Sequence, residues 1–595
     1  MALHLSKSRY CAAVQCPKQL WLKVNRPEAA DETLIPQAVL DRGNAVGDLA
    51  MGLFGDYVEV PFGDLTQMCR RTEELIRAGT PVIAEASFAL DGLFCSVDLL
   101  RVSGDRAVEI VEVKSSTRVT PIYLEDVAFQ NHLLTQLGYD VRRVMIAHID
   151  TGYVRRGALE PDRLFALEDV TDIAREKRAE VEARIAFLDK YMRSEQEPPD
   201  PIGAHCFSPY GCAFFPYCTR DLPKPNIFDV AGLQMRTRLG NLRKGIVSFK
   251  DIEAKKAVNA NALLQVSHAL HDLPPVIDKK AIRGFLDGLT YPLYFLDFES
   301  FQPAVPLYDD SCPYEQIVFQ YSLHFIEEAR APLKHREYLA WPGEDPRRGV
   351  AEQLCRDIPQ NVCVLAYNMS CEKGRIRALA QLYPDLEAHL MNIHDHIQDL
   401  MVPFQKKQYY TRAMEGSYSI KHVLPALFPD DPALDYRSLE GVHNGTEASD
   451  TFAAMADMEP RALQAARENL LKYKDYSVLG HLDLINRYDK IGNYPFEKIK
   501  PVLTVILQIV IADGKGIEVN TSSHRYGLKD STPSVDILKL YHQLGGRIVT
   551  IGSDSHKKEH LGAYIREAKR LLRNLGYREF CTFEKMQPIF HPLNI

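Results

Sequence analysis

Residues 81–116 read PVIAEASFALDGLFCSVDLLRVSGDRAVEIVEVKSS, and this stretch decides the fold of the N-terminal part. Two apolar runs flank Asp91-Gly92, a pair suited to the left-handed backbone of a tight hairpin turn. Gly104 marks a second turn, and the third run, AVEIVEVK, follows it. Working outward, a helix-like start precedes the hairpin, and LEDVAFQNHLLTQL and VRRVMIAHI come after it. The expected order is helix, three strands, helix, strand.

In a strand, side chains at i and i+2 share a face. Glu112 and Lys114 therefore project together from the third run, with Asp98 on the middle strand and Gln130 on the following helix. Two carboxylates so placed can share a hard cation, Mg²⁺ or Mn²⁺. Such an ion acidifies a bound water and offsets oxyanion charge, and Lys114 adds positive charge beside it. That is equipment for hydrolysing a phosphodiester. A lone E-x-K also arises as a surface ion pair on an edge strand, so the reading rests on the four residues together.

With these residues in place, segment 1–225 resembles the PD-(D/E)xK nucleases of the RecB family, above all the CRISPR-associated exonucleases that carry an iron–sulfur cluster. The resemblance implies Asp98, Glu112, Lys114 and Gln130 as the catalytic set, with Asp98 and Glu112 as metal ligands. It adds Asp48, in RGNAVGDLA, as a ligand where relatives often carry histidine; Leu134 stands where a tyrosine is common. Cys206, Cys212 and Cys218 form C-x5-C-x5-C, and Cys16 opens CPKQLWL. Three spaced thiols and a distant fourth can hold a [4Fe-4S] cluster and clasp the two ends of the domain. Cys11 competes with Cys16, but the Cys-Pro context matches the family at Cys16. A zinc site is the alternative, though structural zinc favours tighter C-x-x-C knuckles; four buried thiols are the plainest reading.

Proline-rich breaks fall at EQEPPDPIG (195–203) and DLPKPN (221–226), and residues 226–289 read as a basic helical connector. From 290 to 473 the pattern is α/β. LYFLDFES puts Asp297 and Glu299 on one strand face, and AYNMSCEKGRI offers Asn368 and Glu372 at a helix start. This segment resembles the ribonuclease-H-like DEDD exonucleases, in which four acids hold two cations. The resemblance implies a second site at Asp297, Glu299 and Glu372, with Asp399 structural. The fourth acid is missing: Ser477 stands four residues after Tyr473 where aspartate belongs, and Asp475 would face the other way on a helix. His394-Asp395-His396 matches a metal motif by letters only.

Residues 474–595, with DYSVLGHLDLINRYDK, GIEVNTSSHRYGLKD and RIVTIGSDSH, resemble the C-terminal half of histidinol phosphatases of the polymerase-and-histidinol-phosphatase (PHP) superfamily. The GHxD and SDxH motifs imply His481, Asp554 and His556 as ligands, apt for Zn, Mn or Fe. The first half of that barrel is not found, and a half-barrel leaves strand edges to be covered by packing or by a homo-oligomer.

The whole thus reads as a multidomain α/β chain: a PD-(D/E)xK nuclease fold, a ribonuclease-H-like domain and a partial PHP (β/α) barrel. Its 595 residues carry a net charge of −8, which argues against a uniformly polyanion-binding surface and leaves room for a local basic channel. There is no GxxxxGK[ST] loop, hence no ATP-driven motor. No long apolar run or secretory signal is seen, so a cytoplasmic protein without a membrane partner is expected, its 12 cysteines thiols or metal ligands. The expected activity is a metal-dependent DNA nuclease, exonucleolytic or end-processing, on single-stranded DNA. The alternatives are a nucleic-acid-binding scaffold with vestigial metal sites and a PHP-type phosphoesterase.

Overall fold

The computed structural model describes residues 4–31, 33, 37–104, 106–341, 343–435, 448–449, 452, 476–480, 496–525, 531–553, 555 and 557–593. The chain divides into two compact units, residues 1–338 with 347–441, and residues 339–346 with 442–595.

The larger unit begins with a short strand β1 (Leu5–Ser6) and helix α1 (Lys7–Gln15), whose first turn is capped by the Ser6 side chain accepting from the Arg9 N–H. Cys16 ends α1, and Pro17 starts α2 (Pro17–Asn25), as proline does well at a first helical position. After α3 (Gln37–Met51), β2 (Val58–Glu59) and α4 (Leu65–Arg77) come β3 (Val82–Leu90), β4 (Leu93–Val102) and β5 (Ala107–Lys114). Helix α5 (Pro121–Gln136) then crosses over to β6 (Asp140–Ile149), and β7 (Phe165–Asp169) closes the sheet. The sheet order is β2-β3-β4-β5-β6-β7, with β1 alongside β4. β3, β4 and β5 are antiparallel neighbours, and β5 runs parallel to β6, as a helical crossover requires.

Both faces of this sheet are covered. Val127, Phe129, Leu133 and Leu134 of α5 pack on Ile83, Val97, Ile110 and Ile146. On the other side Val46 and Ala50 of α3 pack on Val82, Leu99, Val111 and Met145. Each fully buried side chain of this size contributes about 1.5–3 kcal/mol. The position expected for a tyrosine, Leu134, is simply part of this core.

Farther along the same unit lie helices Met235–Arg243, Phe249–Lys255, Ala260–Leu270 and Lys279–Leu286. The stretch expected as a connector is also tied to the α/β segment after it: β8 (Val276–Ile277) pairs with residues Tyr409 and Tyr410. A second mixed sheet holds β9 (Leu293–Phe301), β10 (Ile317–Ile326), β11 (Lys334–Leu339), β12 (Cys363–Ala366) and β13 (Ile397–Asp399), in the order β11-β10-β9-β12-β13. β12 is parallel to both β9 and β13.

In the smaller unit three short parallel strands, Val478–Leu479, Gly516–Asn520 and Val549–Gly552, form a sheet. Helices Phe496–Ala512, Val535–Gln543 and Ile565–Asn574 contribute Leu507, Val510, Leu538 and Leu572 to its core. Among the described residues no helix is long and apolar enough to cross a membrane. The molecule is a multidomain α/β protein with several mixed sheets.

Candidate active site

The β4–β5 register pairs Leu99 with Val111, so the next residues, Asp98 and Glu112, lie opposite each other. The β3–β4 register puts Glu85 opposite Asp98 on the other side. Three acids thus run in a row across three strands. Asp98 is fixed by the Val113 N–H, which donates to Oδ2 at 2.7 Å. Glu112 is 1% exposed, and its Oε2 accepts from Gln130 Nε2 at 2.7 Å. Lys114 Nζ bonds Glu112 Oε1 at 2.6 Å and Asp126 Oδ2 at 2.8 Å. Gln130 Nε2 also donates to Asp126 Oδ1 at 3.0 Å, one helical turn away on α5.

The structure therefore brings Asp98, Glu112, Lys114 and Gln130 together and adds three residues that sequence reasoning passed over. Lys7 Nζ lies 3.0 Å from Asp98 Oδ1 and 3.0 Å from Glu112 Oε1, reaching them because β1 docks beside β4. Asp126 was within reach of the sequence, since it precedes Gln130 by four residues on one helix. Glu85, an acid in the middle of an apolar strand with φ of 54°, carried the same kind of signal. Asp48 is exposed on α3 and stands outside this hydrogen-bonded set, though its charge is felt at Glu85.

Burial, then Asp126 and Asp98, push the Glu112 carboxyl up to about 7 against the pull of the two lysines. Burial followed by Asp98 does the same to Glu85, also to about 7. Asp126 behaves oppositely: burial works to raise it, but Lys114 and Lys7 outweigh burial and hold it well below the usual range. The two ammonium groups stay charged, because the acids outweigh the desolvation that works against them. Among the described residues no group of three or more His, Cys, Asp or Glu could enclose an ion on its own. Two carboxylates still fit Mg²⁺ or Mn²⁺, which commonly take one or two from the protein and the rest from water and substrate phosphate.

Cys16, at the junction of α1 and α2, lines one small cavity together with Cys206, Cys212 and Cys218. All four are free thiols. Burial pushes Cys16 up to about 11, with Cys206 and Cys212 adding to it. Cys11 lies elsewhere, its thiol raised by burial and by Asp126 and Glu112. The cavity fits a group wider than one ion, for a four-iron cube holds its thiolates farther apart than a single zinc does.

In the second sheet Asp297 follows Phe295, which pairs with Leu365, and Asp399 pairs with Ala366. Glu372, at the start of helix Ser370–Leu382, is 4% exposed and its Oε2 has no hydrogen-bond partner. Burial, with Asp297 and Asp399 adding, pushes it up to about 7. Glu299 is raised by burial and Asp297 and drawn back by Lys421. Asp399 Oδ1 accepts from the Asn368 and Met401 N–H groups at 3.0 and 2.9 Å, so it also braces the loop. His394 and His396 do not converge: His394 faces Asp395 and Arg377, and His396 the Asn392 carbonyl. Tyr473 and Asp475 lie outside the described residues. Ser477 accepts the Gly516 N–H through its carbonyl and so belongs to the small parallel sheet, not to an exonuclease-type helix.

His481, Asp554 and His556 lie outside the described residues. Their neighbours are described: a side chain added at Gly480 would meet Glu518 Oε2 at 3.1 Å, which puts an unforeseen carboxylate beside the His481 position. Asn520, Thr521, Ser522 and Ser523 are buried at the end of the same strand.

Comparison with known proteins gives two separate matches. A family model described as a domain of unknown function, DUF2779, matches residues 294–419. A probable histidinol-phosphatase from Thermotoga maritima is 30% identical over 189 residues, 31% of this chain and 73% of that protein. A histidinol-phosphatase from Lactococcus lactis is 31% identical over 136 residues, 21% of this chain but 49% of its own length. The crystal structure of histidinol phosphate phosphatase from that Lactococcus, complexed with zinc, L-histidinol and phosphate, aligns with 42% of this chain and 94% of its own at 17% identity, with a TM-score of only 0.18. With 73% of the Thermotoga protein covered, the chain belongs, over that part of its length, to the histidinol-phosphatase family.

Proposed function

We propose that this protein is a metal-dependent phosphoester hydrolase whose best-formed centre, around Asp98, Glu112, Lys114 and Gln130, cuts DNA. One observation carries the reading: Glu112, almost wholly buried, is held at once by Lys114, Lys7 and Gln130, a cost that a structural ion pair on a strand would not require. A Mg²⁺ or Mn²⁺ held by Asp98 and Glu112 would supply an acidified water and charge to offset the developing oxyanion. Gln130 orients Glu112, Asp126 orients Lys114, and the Val113 N–H orients Asp98. Lys114 and Lys7 stay protonated and attract the phosphate. The four thiols would hold a [4Fe-4S] cluster that clasps the α1–α2 junction to the 206–218 segment. Asp297, Glu299 and Glu372 form a second acidic centre, and the setting is the cytoplasm.

The homology favours a second reading, a PHP-type phosphomonoesterase in the C-terminal segment, with zinc at His481, Asp554 and His556 and histidinol phosphate as substrate. The nuclease reading draws nothing from those relatives and stands on geometry.

The test is incubation of anaerobically purified full-length protein with Mn²⁺ and end-labelled single-stranded DNA. Cleavage should fall at least about 100-fold in Lys114→Ala and Glu112→Gln. Cleavage that survives both substitutions sinks the nuclease; histidinol phosphate hydrolysis lost on Asp554→Asn would put the phosphatase in its place.

A further inference from the structure

The loop from Cys206 to Cys212 does more than present thiols. It is closed by the Cys212 N–H on the Cys206 carbonyl at 3.0 Å. Gln15 of α1 clamps it by donating through Nε2 to the His205 and Tyr210 carbonyls, both at 2.7 Å. At its tip Tyr210 is 55% exposed, among the more exposed large side chains of the unit. Its hydroxyl is hydrogen-bonded to that of Tyr123, in the first turn of α5. Lys114 Nζ lies 5.2 Å from the centre of the Tyr123 ring. The Tyr210 ring is thus tethered at both ends, open to solvent, and one aromatic ring away from the lysine of the phosphodiester centre.

A tyrosine whose only task was to staple the loop would gain most by burying its ring. A tyrosine that must receive a flat partner has to keep its surface free and its rotamer fixed, since a pre-ordered ring loses little entropy on binding. Nucleobases are such partners: every base has a π-face, so stacking tolerates any sequence, and it requires the base to be unpaired. The phosphate beside a base stacked there would come within the field of Lys114.

We propose that Tyr210, held by Tyr123, is a stacking subsite for an unpaired nucleobase next to the scissile phosphate, and so selects single-stranded DNA. The proposal rests on the nuclease reading above.

The experiment measures binding of a labelled single-stranded oligodeoxynucleotide by the full-length protein in EDTA, so that nothing is cut. Tyr210→Ala should weaken binding about 5- to 100-fold, while Tyr210→Phe, which keeps the ring and loses the hydroxyl, should stay within about threefold. One abasic nucleotide walked along the strand should weaken wild-type binding at one position by a similar factor and add nothing in Tyr210→Ala. Equal binding by Tyr210→Ala and wild type, a Phe variant as weak as the Ala variant, or a flat abasic scan overturns the subsite. If the wild type binds and, with Mn²⁺, cuts while Tyr210→Ala matches it, the subsite alone fails; if the wild type neither binds nor cuts, the nuclease reading fails with it.

Discussion

Asp98 with Glu112 on one sheet, and Asp297 with Glu372 on another, are both sets of acids raised close together inside the larger unit. Their counter-charge separates them. Glu112 has two ammonium groups and an amide within hydrogen-bond reach, whereas Glu372, nearly as buried, keeps one oxygen without a partner. Both carboxyls rise to about 7, burial being the first cause in each. A similar shift therefore hides opposite states. The first centre is a network in which each charge depends on its neighbours; the second carries a charge the fold leaves uncompensated.

The comparison breaks most directly at Asp126. Asp126→Ala strips Lys114 and Gln130 of a shared acceptor inside a low-dielectric site, and removing one member of such a network costs about 3 kcal/mol. Cleavage should drop about 100-fold as well, because Lys114 and Gln130 lose their orientation. Urea unfolding at neutral pH and a cleavage rate on the same preparation check both; a variant as stable and as active as the wild type would show that the network is only a set of contacts.

The opposite sign is expected at Glu372. Its folded carboxyl sits above its ordinary value of 4.5, at about 7, so ionising it costs stability. That cost is absent below about pH 4.5, grows as pH rises, and is complete above about pH 7, where it amounts to on the order of 2 kcal/mol. Glu372→Gln in chelated protein should therefore be more stable than wild type at pH 8 and no different at pH 4. Added Mn²⁺ should narrow the gap at pH 8 by stabilising only the wild type, as any ligand of the native state does. Denaturant midpoints at the two pH values measure it, and a destabilised glutamine variant at pH 8 would mean that the free oxygen has a partner after all.

How far the sequence carried these centres depends on chain distance. Asp98, Glu112, Lys114 and Gln130 could be gathered because a two-residue strand period and one helix hold three of the four to neighbouring positions. Lys7 could not: it lies 91 residues from Asp98 in sequence, and only the pairing of a two-residue strand with β4 brings it in. Glu85 was hidden by a different cause, since one acid among Val82, Ile83, Ala84 and Ala86 reads as an exposed face until the strand register sets it against Asp98. In the last segment the family was legible from long motifs. The break in the exonuclease pattern at Ser477 follows from Ser477 belonging to the small parallel sheet.

The smallest effect separates the residues the fold gathers from one that resemblance alone suggests. Asp48 is exposed and makes no bond to Asp98, Glu112 or Lys114; it acts on the centre only through its field at Glu85, and solvent screens such a field. An exposed charge of this kind is worth under about 1 kcal/mol. Asp48→Asn should change the cleavage rate less than about fivefold, while Glu85→Gln, in the row itself, should change it more. Side-by-side rates across a Mn²⁺ titration decide between them. If Asp48→Asn raised the Mn²⁺ requirement and Glu85→Gln did not, the metal would sit nearer α3 than the row of acids implies, and the division between a gathered network and its surroundings would have to be redrawn around that helix.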